Sequence, residues 1–113
     1  MPRDWKAYWE RRRHHPDARF LATSEWRVLR ARQLSSHPLC AHCMKLRIDT
    51  PATEVDHIKP PHGDVVLMRD PSNYMSLCSS HHSQKTRHQD RGKAYTIGIL
   101  PNGSPIMSDG SSW

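Results

Sequence analysis

Apolar residues are scarce in this chain. They make up 35% of its 113 residues, and the mean hydropathy is −0.82. Such a chain cannot bury a large core, and small domains short of core lean on a metal or on disulfides. Disulfides are poorly provided for, because three cysteines cannot pair completely. No stretch approaches the ~20 consecutive apolar residues of a membrane span. The first residues, Met1-Pro2-Arg3-Asp4-Trp5-Lys6, lack the apolar run of a secretory signal. The expectation is a cytosolic protein with reduced cysteines, in which closely spaced Cys and His mean metal more often than disulfide. The length allows one domain, with a tail at each end.

Positive charge is plentiful. Seventeen Lys and Arg stand against 11 Asp and Glu, for a net charge of +6, and the pI is about 9.7. This balance favours a polyanionic partner, although basic residues alone do not separate nucleic-acid binding from a solvated surface.

The spacing predicts a helix over residues 3–13, with Trp5, Tyr8 and Trp9 at i, i+3, i+4 on one face. Arg11-Arg12-Arg13 ends it and His14-His15-Pro16 breaks it. A second helix is expected from an N-cap at Ser24, with Trp26, Leu29 and Ala31 or Leu34 facing inward. Ser35-Ser36-His37-Pro38 closes it. Lys45-Leu46-Arg47-Ile48 reads as a short extended piece, and Glu54-Val55-Asp56-His57-Ile58 alternates as a strand does. Val65-Val66-Leu67-Met68 reads as a short packed segment, and Asp70-Pro71-Ser72-Asn73 as a turn. A third helix is expected from Ser79 or Ser80 to Gln89, stopped near Gly92. Tyr95 to Leu100, followed by Pro101-Asn102-Gly103, is a small hairpin or an extended tail.

Two metal sites can be read from the clusters. Cys40-Ala41-His42-Cys43 places two thiolates within reach of one zinc from a tight turn. Cys78 and His81 repeat that spacing, and together the four residues make a tetrahedral Cys3His set. His42, between the first two ligands, is expected to face solvent. Asp56 and His57 are adjacent on a strand and so point to opposite faces. A division of labour follows, in which one binds a second ion and the other does proton chemistry. His82 is the natural partner from the helix. It lies about 100° from His81 around the axis. One imidazole can then serve the zinc knuckle while the other serves the Asp56-His57 segment.

The run Val55-Asp56-His57-Ile58-Lys59-Pro60, Gly63-Asp64, Asn73 and Leu77-Cys78-Ser79-Ser80-His81-His82-Ser83-Gln84-Lys85-Thr86 resembles the HNH endonuclease family. The three letters match His57, Asn73 and His82. Zinc-knuckle members typically read Leu-Cys-x2-Cys-His-x2-Lys-Thr, and here His81 stands where a cysteine is usual. The resemblance covers residues 38–87. Ser24 to Cys43, with Trp26-Arg27 and Leu29-Arg30, is similar to small phage- and prophage-encoded members, which often lie beside packaging genes.

The resemblance implies a small α+β protein: a ββα-metal (His-Me finger) core stapled by a zinc knuckle, with N-terminal helices. By it, residues 1–37 are a basic helical segment, 38–92 the nuclease core and 93–113 a tail. His57 is then the general base. Asp56 and His82 hold one divalent ion (Mg2+, Mn2+, Ni2+ or Zn2+), and Asn73 orients the loop that carries His57 or contributes near the metal. Cys40, Cys43, Cys78 and His81 hold a structural zinc. A histidine near its ordinary pKa can deprotonate water, and a divalent cation can polarise a phosphate and stabilise the leaving oxygen. DNA is the implied partner, with Lys85, Arg87 and Arg30 as backbone contacts that carry little sequence information. Phage packaging proteins are further expected partners, and a bacterial cytoplasm the expected location. The rival readings are a zinc-knuckle module that binds nucleic acid without cutting it, and a packaging accessory protein.

Overall fold

A computed structural model describes residues 15–88 and 94–108. The helix expected over residues 3–13, Arg91, the stop at Gly92 and the terminal Trp113 lie outside the described residues.

The centre of the fold is a two-stranded antiparallel ribbon and the helix that follows it. Strand β1 (Glu54–His57) pairs with β2 (Tyr74–Leu77), with Asp56 opposite Met75 and His57 opposite Tyr74. The pleat sends Asp56 and His57 to opposite faces. The last helix of the unit, Ser79–His88, starts immediately after β2 and packs against both strands. This is the ββα arrangement, in a small α+β protein with helices preceding it.

Among the described residues, two helices precede the knuckle. The first, α1 (Pro16–Leu21), was not expected; His15 caps it, its Nδ1 accepting from the Asp17 amide, and Pro16 takes the first-turn position where no amide hydrogen is needed. The second, α2 (Ser24–Ser36), is capped by Thr23 rather than Ser24. Thr23 is still extended, and its Oγ1 accepts from the Trp26 amide at 3.1 Å. Of the expected inward residues, Trp26 is buried and Leu29 packs beside it, whereas Ala31 faces solvent. Trp26 joins Phe20, Met68 and Tyr74 in one core cluster. Gln33 Nε2 donates to Ser76 Oγ at 3.1 Å and Arg30 donates to the Thr53 carbonyl, strapping α2 across the ribbon.

Helix α3 (Ala41–Lys45) forms inside the first knuckle, with Cys40 as its cap. Lys45-Leu46-Arg47-Ile48 is therefore not extended. It is a helix end and a turn, with Arg47 at φ 63. Val65–Arg69 is a short helix, α4, because the Asp64 carboxylate accepts from the amides of Val66 and Leu67. It buries Met68 and leaves Val65 and Val66 exposed. Asp70 caps the 3-10 turn Pro71–Asn73. The helix after β2 is α5.

A second core cluster joins Cys40, Cys43 and Leu77, with Met75 and Cys78 against it. Met68 and Leu77 are sealed from solvent, and each such side chain contributes about 2 kcal/mol of transfer free energy. Strands β3 (Thr96–Ile99) and β4 (Pro105–Met107) form a hairpin, turned at Gly103 with φ 87. Gly98 lies so close to Leu46 that a Cβ there would meet Leu46 Cδ1 at 2.6 Å. The hairpin thus packs tightly on the end of α3. Among the described residues, no helix is long and apolar enough to cross a membrane.

Candidate metal centres and active site

Cys40, Cys43, Cys78 and His81 converge from α3, the end of β2 and α5, with their ligand atoms all within 4.8 Å of one another. His81 Nδ1 lies 3.5 Å from Cys40 Sγ, 3.4 Å from Cys43 Sγ and 3.4 Å from Cys78 Sγ. Cys43 and Cys78 Sγ are 3.9 Å apart. A tetrahedral zinc needs sulfur–nitrogen separations of ~3.5 Å and sulfur–sulfur separations of ~3.8 Å. The four residues fit such an ion and could hold it. The ring is also aimed for ligation. His81 Nε2–H donates to the Ile97 carbonyl at 3.0 Å, so the Nδ1 lone pair faces the sulfurs. That partner comes from the C-terminal hairpin, and no sequence signal pointed to it.

Burial pushes Cys43 up to about 11. At Cys40 burial also raises the pKa, but hydrogen bonds from the Cys78 and Cys43 backbone outweigh it and the net shift is downward.

His42 does not face solvent. It is 1% exposed, packed edge-on against His81 at 5.5 Å and Tyr95 at 6.2 Å. The helical turn after Cys40 rotates it inward, under the hairpin. Burial, with the nearby Lys45, His81 and Lys85 charges, holds its pKa down to about 4. Its Nδ1 and the Tyr95 hydroxyl are buried without a hydrogen-bond partner among the described residues. Burial raises Tyr95 to about 12.

The second constellation lies at the junction of β1 and α5. Asp56 Oδ2 is 3.9 Å from His82 Nε2. Two ligands that each approach an ion at ~2.1 Å can share it across such a gap, leaving its other positions open. The Asp56 carboxylate is itself oriented, since Oδ1 accepts from the His57 amide at 2.7 Å. The consecutive histidines separate as the helical angle requires: His81 turns to the sulfurs and His82 to Asp56.

His57 occupies the opposite face of β1, 7% exposed. Its ring stacks on Trp26 at 5.5 Å and meets Tyr74 edge-on at 5.4 Å. Nε2–H donates to the Met68 carbonyl at 3.2 Å, an oxygen that also accepts from the Tyr74 hydroxyl at 2.7 Å. A carbonyl only accepts, so the proton of the neutral ring is on Nε2 and the lone pair on Nδ1. Trp26 was legible as an inward residue; its stacking on His57 was not.

Asn73 is buried at the end of the 3-10 turn. Its Oδ1 accepts from the Lys59 amide at 2.8 Å, and its Nδ2 donates to the carbonyls of Lys59 and Leu67, both at 3.1 Å. Its own carbonyl accepts from the Ile58 amide at 2.7 Å. One side chain therefore clamps the segment just after His57.

The expected phosphate contacts differ in their placement. Arg87 is exposed in the last turn of α5. Arg30 is tied to the Thr53 carbonyl. Lys85 is turned inward: its Nζ donates to the His57 carbonyl at 2.9 Å and lies 3.3 Å from Asp56 Oδ2.

Comparison with known proteins gives a family and a structural relative. The family model described as HNH endonuclease matches residues 40–88. A crystal structure of the HNH endonuclease of the deep-sea thermophilic bacteriophage GVE2, with manganese ion, is similar to this chain at 34% identity and a TM-score of 0.63. The similarity covers 78% of this chain and 97% of the phage protein. A comparison with curated proteins finds no match.

Proposed function

Because this chain belongs to the HNH endonuclease family, a family of metal-dependent phosphodiester hydrolases, we propose that it cuts DNA with His57 as general base and one divalent ion held by Asp56 and His82. The observation that carries the reading is the β1–α5 junction. There Asp56 Oδ2 and His82 Nε2 stand 3.9 Å apart, while His57, on the other face of β1, is held with its Nε2–H on the Met68 carbonyl and its Nδ1 lone pair free of that bond.

His57 Nδ1 takes the proton of the attacking water, and the Met68 carbonyl steadies the imidazolium that results through the Nε2–H bond. Trp26 and Tyr74 keep the ring from turning. Asn73 is a positioning residue, holding the Lys59 backbone so that the end of β1 keeps its direction. A divalent ion, when bound, supplies charge stabilisation for the phosphate and the leaving oxygen. An oxygen and a nitrogen donor suit Mg2+, Mn2+, Ni2+ or Zn2+, and the similar phage endonuclease contains manganese.

Cys40, Cys43, Cys78 and His81 hold a structural zinc that ties α3, β2 and α5 together. DNA is held by backbone contacts, with exposed Arg87 and the basic face of α2 around Arg30 as contributors, so sequence preference is weak. The phage source of the similar endonuclease supports a phage- or prophage-encoded enzyme; action in a bacterial cytoplasm beside packaging proteins follows only from the resemblance to small phage-type members.

The test is cleavage of supercoiled plasmid with Mg2+, Mn2+ or Ni2+, beside His57→Ala. Metal-dependent nicking that disappears in the variant is expected. Nicking that survives the substitution would remove His57 as the base. Absence of nicking with every metal would leave a zinc-knuckle binding module.

A further inference from the structure

Lys85 has no place in the chemistry above, yet it occupies its centre. Its side chain is 12% exposed, and a lysine so covered needs partners for its charge. The partners are Asp56 Oδ2 at 3.3 Å and the His57 carbonyl at 2.9 Å. His82 Nε2 faces the same carboxylate oxygen at 3.9 Å. His82 and Lys85 are three residues apart on α5 and so share one face of the helix. One helix face thus presents a metal ligand and an ammonium to a single oxygen.

We propose that Lys85 is an internal competitor for the divalent ion: it neutralises Asp56 when no ion is bound, and the ion must displace it. The inference rests on the assignment of Asp56 and His82 as the ligands. An ion ~2.1 Å from Oδ2 would lie within about 5.4 Å of Nζ where it stands, and two cations at that range in a half-buried site repel strongly. Binding therefore breaks the Lys85–Asp56 pair. The ammonium that leaves is free for a phosphate oxygen, the contact expected of Lys85 from the sequence. Metal occupancy and phosphate binding become coupled through one side chain, and the site resists ions in the absence of DNA.

The experiment measures Mn2+ binding to the zinc-loaded protein by the resonance signal of free Mn2+, for wild type, Lys85→Met and Lys85→Arg. Lys85→Met keeps the aliphatic stem without the charge, and its Kd for Mn2+ falls at least about tenfold. Lys85→Arg stays near wild type. An independent readout leaves Lys85 unchanged: amine acylation at Lys85, read by mass spectrometry, rises when Mn2+ is added to wild type and does not rise in His82→Ala. Equal or weaker Mn2+ binding by Lys85→Met overturns the proposal, as does acylation indifferent to Mn2+. If Lys85→Met does not fold, acylation decides. If neither wild type nor Lys85→Met binds Mn2+, the ligand assignment fails as well, so the two failures are told apart.

Discussion

Removing the Asn73 side chain should separate a positioning residue from a turn-former. Asn73→Ala deletes three hydrogen bonds, one from the Lys59 amide and two to the carbonyls of Lys59 and Leu67. Lys59 is exposed, so water can replace its two bonds, each at a net loss of about 1 kcal/mol. Leu67 is half-buried, and leaving its carbonyl bare costs about 1–2 kcal/mol. The sum is about 3–4 kcal/mol, a large part of the roughly 5–15 kcal/mol that a domain of this size holds. The thermal midpoint should fall by about 15 °C. Activity should fall further than stability does, because the segment released leads directly out of His57. Assayed well below the midpoint, nicking should drop about 100-fold, the usual cost of a base displaced by an ångström. Asn73→Asp sharpens the test: it keeps an acceptor for the Lys59 amide but sets a carboxylate against two carbonyls. That carboxyl should have a raised pKa, so the variant is destabilised at neutral pH and recovers as pH falls through that pKa. Two results would refute the reasoning: a loss below about 1 kcal/mol for Asn73→Ala, or full nicking activity in a destabilised variant.

His82→Ala should lose the Mn2+ site while retaining one zinc, because His82 is half-exposed on a helix where alanine is well tolerated. Zinc analysis beside Mn2+ titration checks this, and loss of zinc would place His82 in the structural cluster instead. Zinc binding should weaken as pH falls. The metal-free Cys43 thiol, pushed up to about 11, is protonated at neutral pH, and the ion must drive that proton off. A chromogenic chelator should take zinc more readily at about pH 5 than at about pH 8, with the fold lost as zinc leaves; identical release at both would refute it.

Local features carried the site a long way in the sequence. The Cys-x2-Cys turn, the strand alternation that parts Asp56 from His57, and the helical angle between His81 and His82 are all set within a few residues. So are the starts of most elements. The misplacements are of the same local kind. Ser24 and Thr23 are equivalent as caps, and the chain's path picked Thr23. Lys45 to Ile48 looked extended because Leu and Ile alternate with charge, whereas the knuckle wound its beginning into a helix.

What the sequence by itself determined is the inventory: which side chains can bind metal, which adjacent pairs must diverge, and that a positively charged chain has few apolar residues for a core. Only the tertiary structure decided how each side chain is used. It buried His42, which lies between Cys40 and Cys43 and is covered by the hairpin. It fixed the tautomers of His57 and His81 through the carbonyls of Met68 and Ile97. It set the Lys85 ammonium against Asp56. The physical reason is common to all three. Spacing along a helix or strand fixes direction over a few residues, but burial, tautomer and charge pairing depend on backbone brought in from elsewhere in the chain, and a backbone carbonyl has no letter of its own.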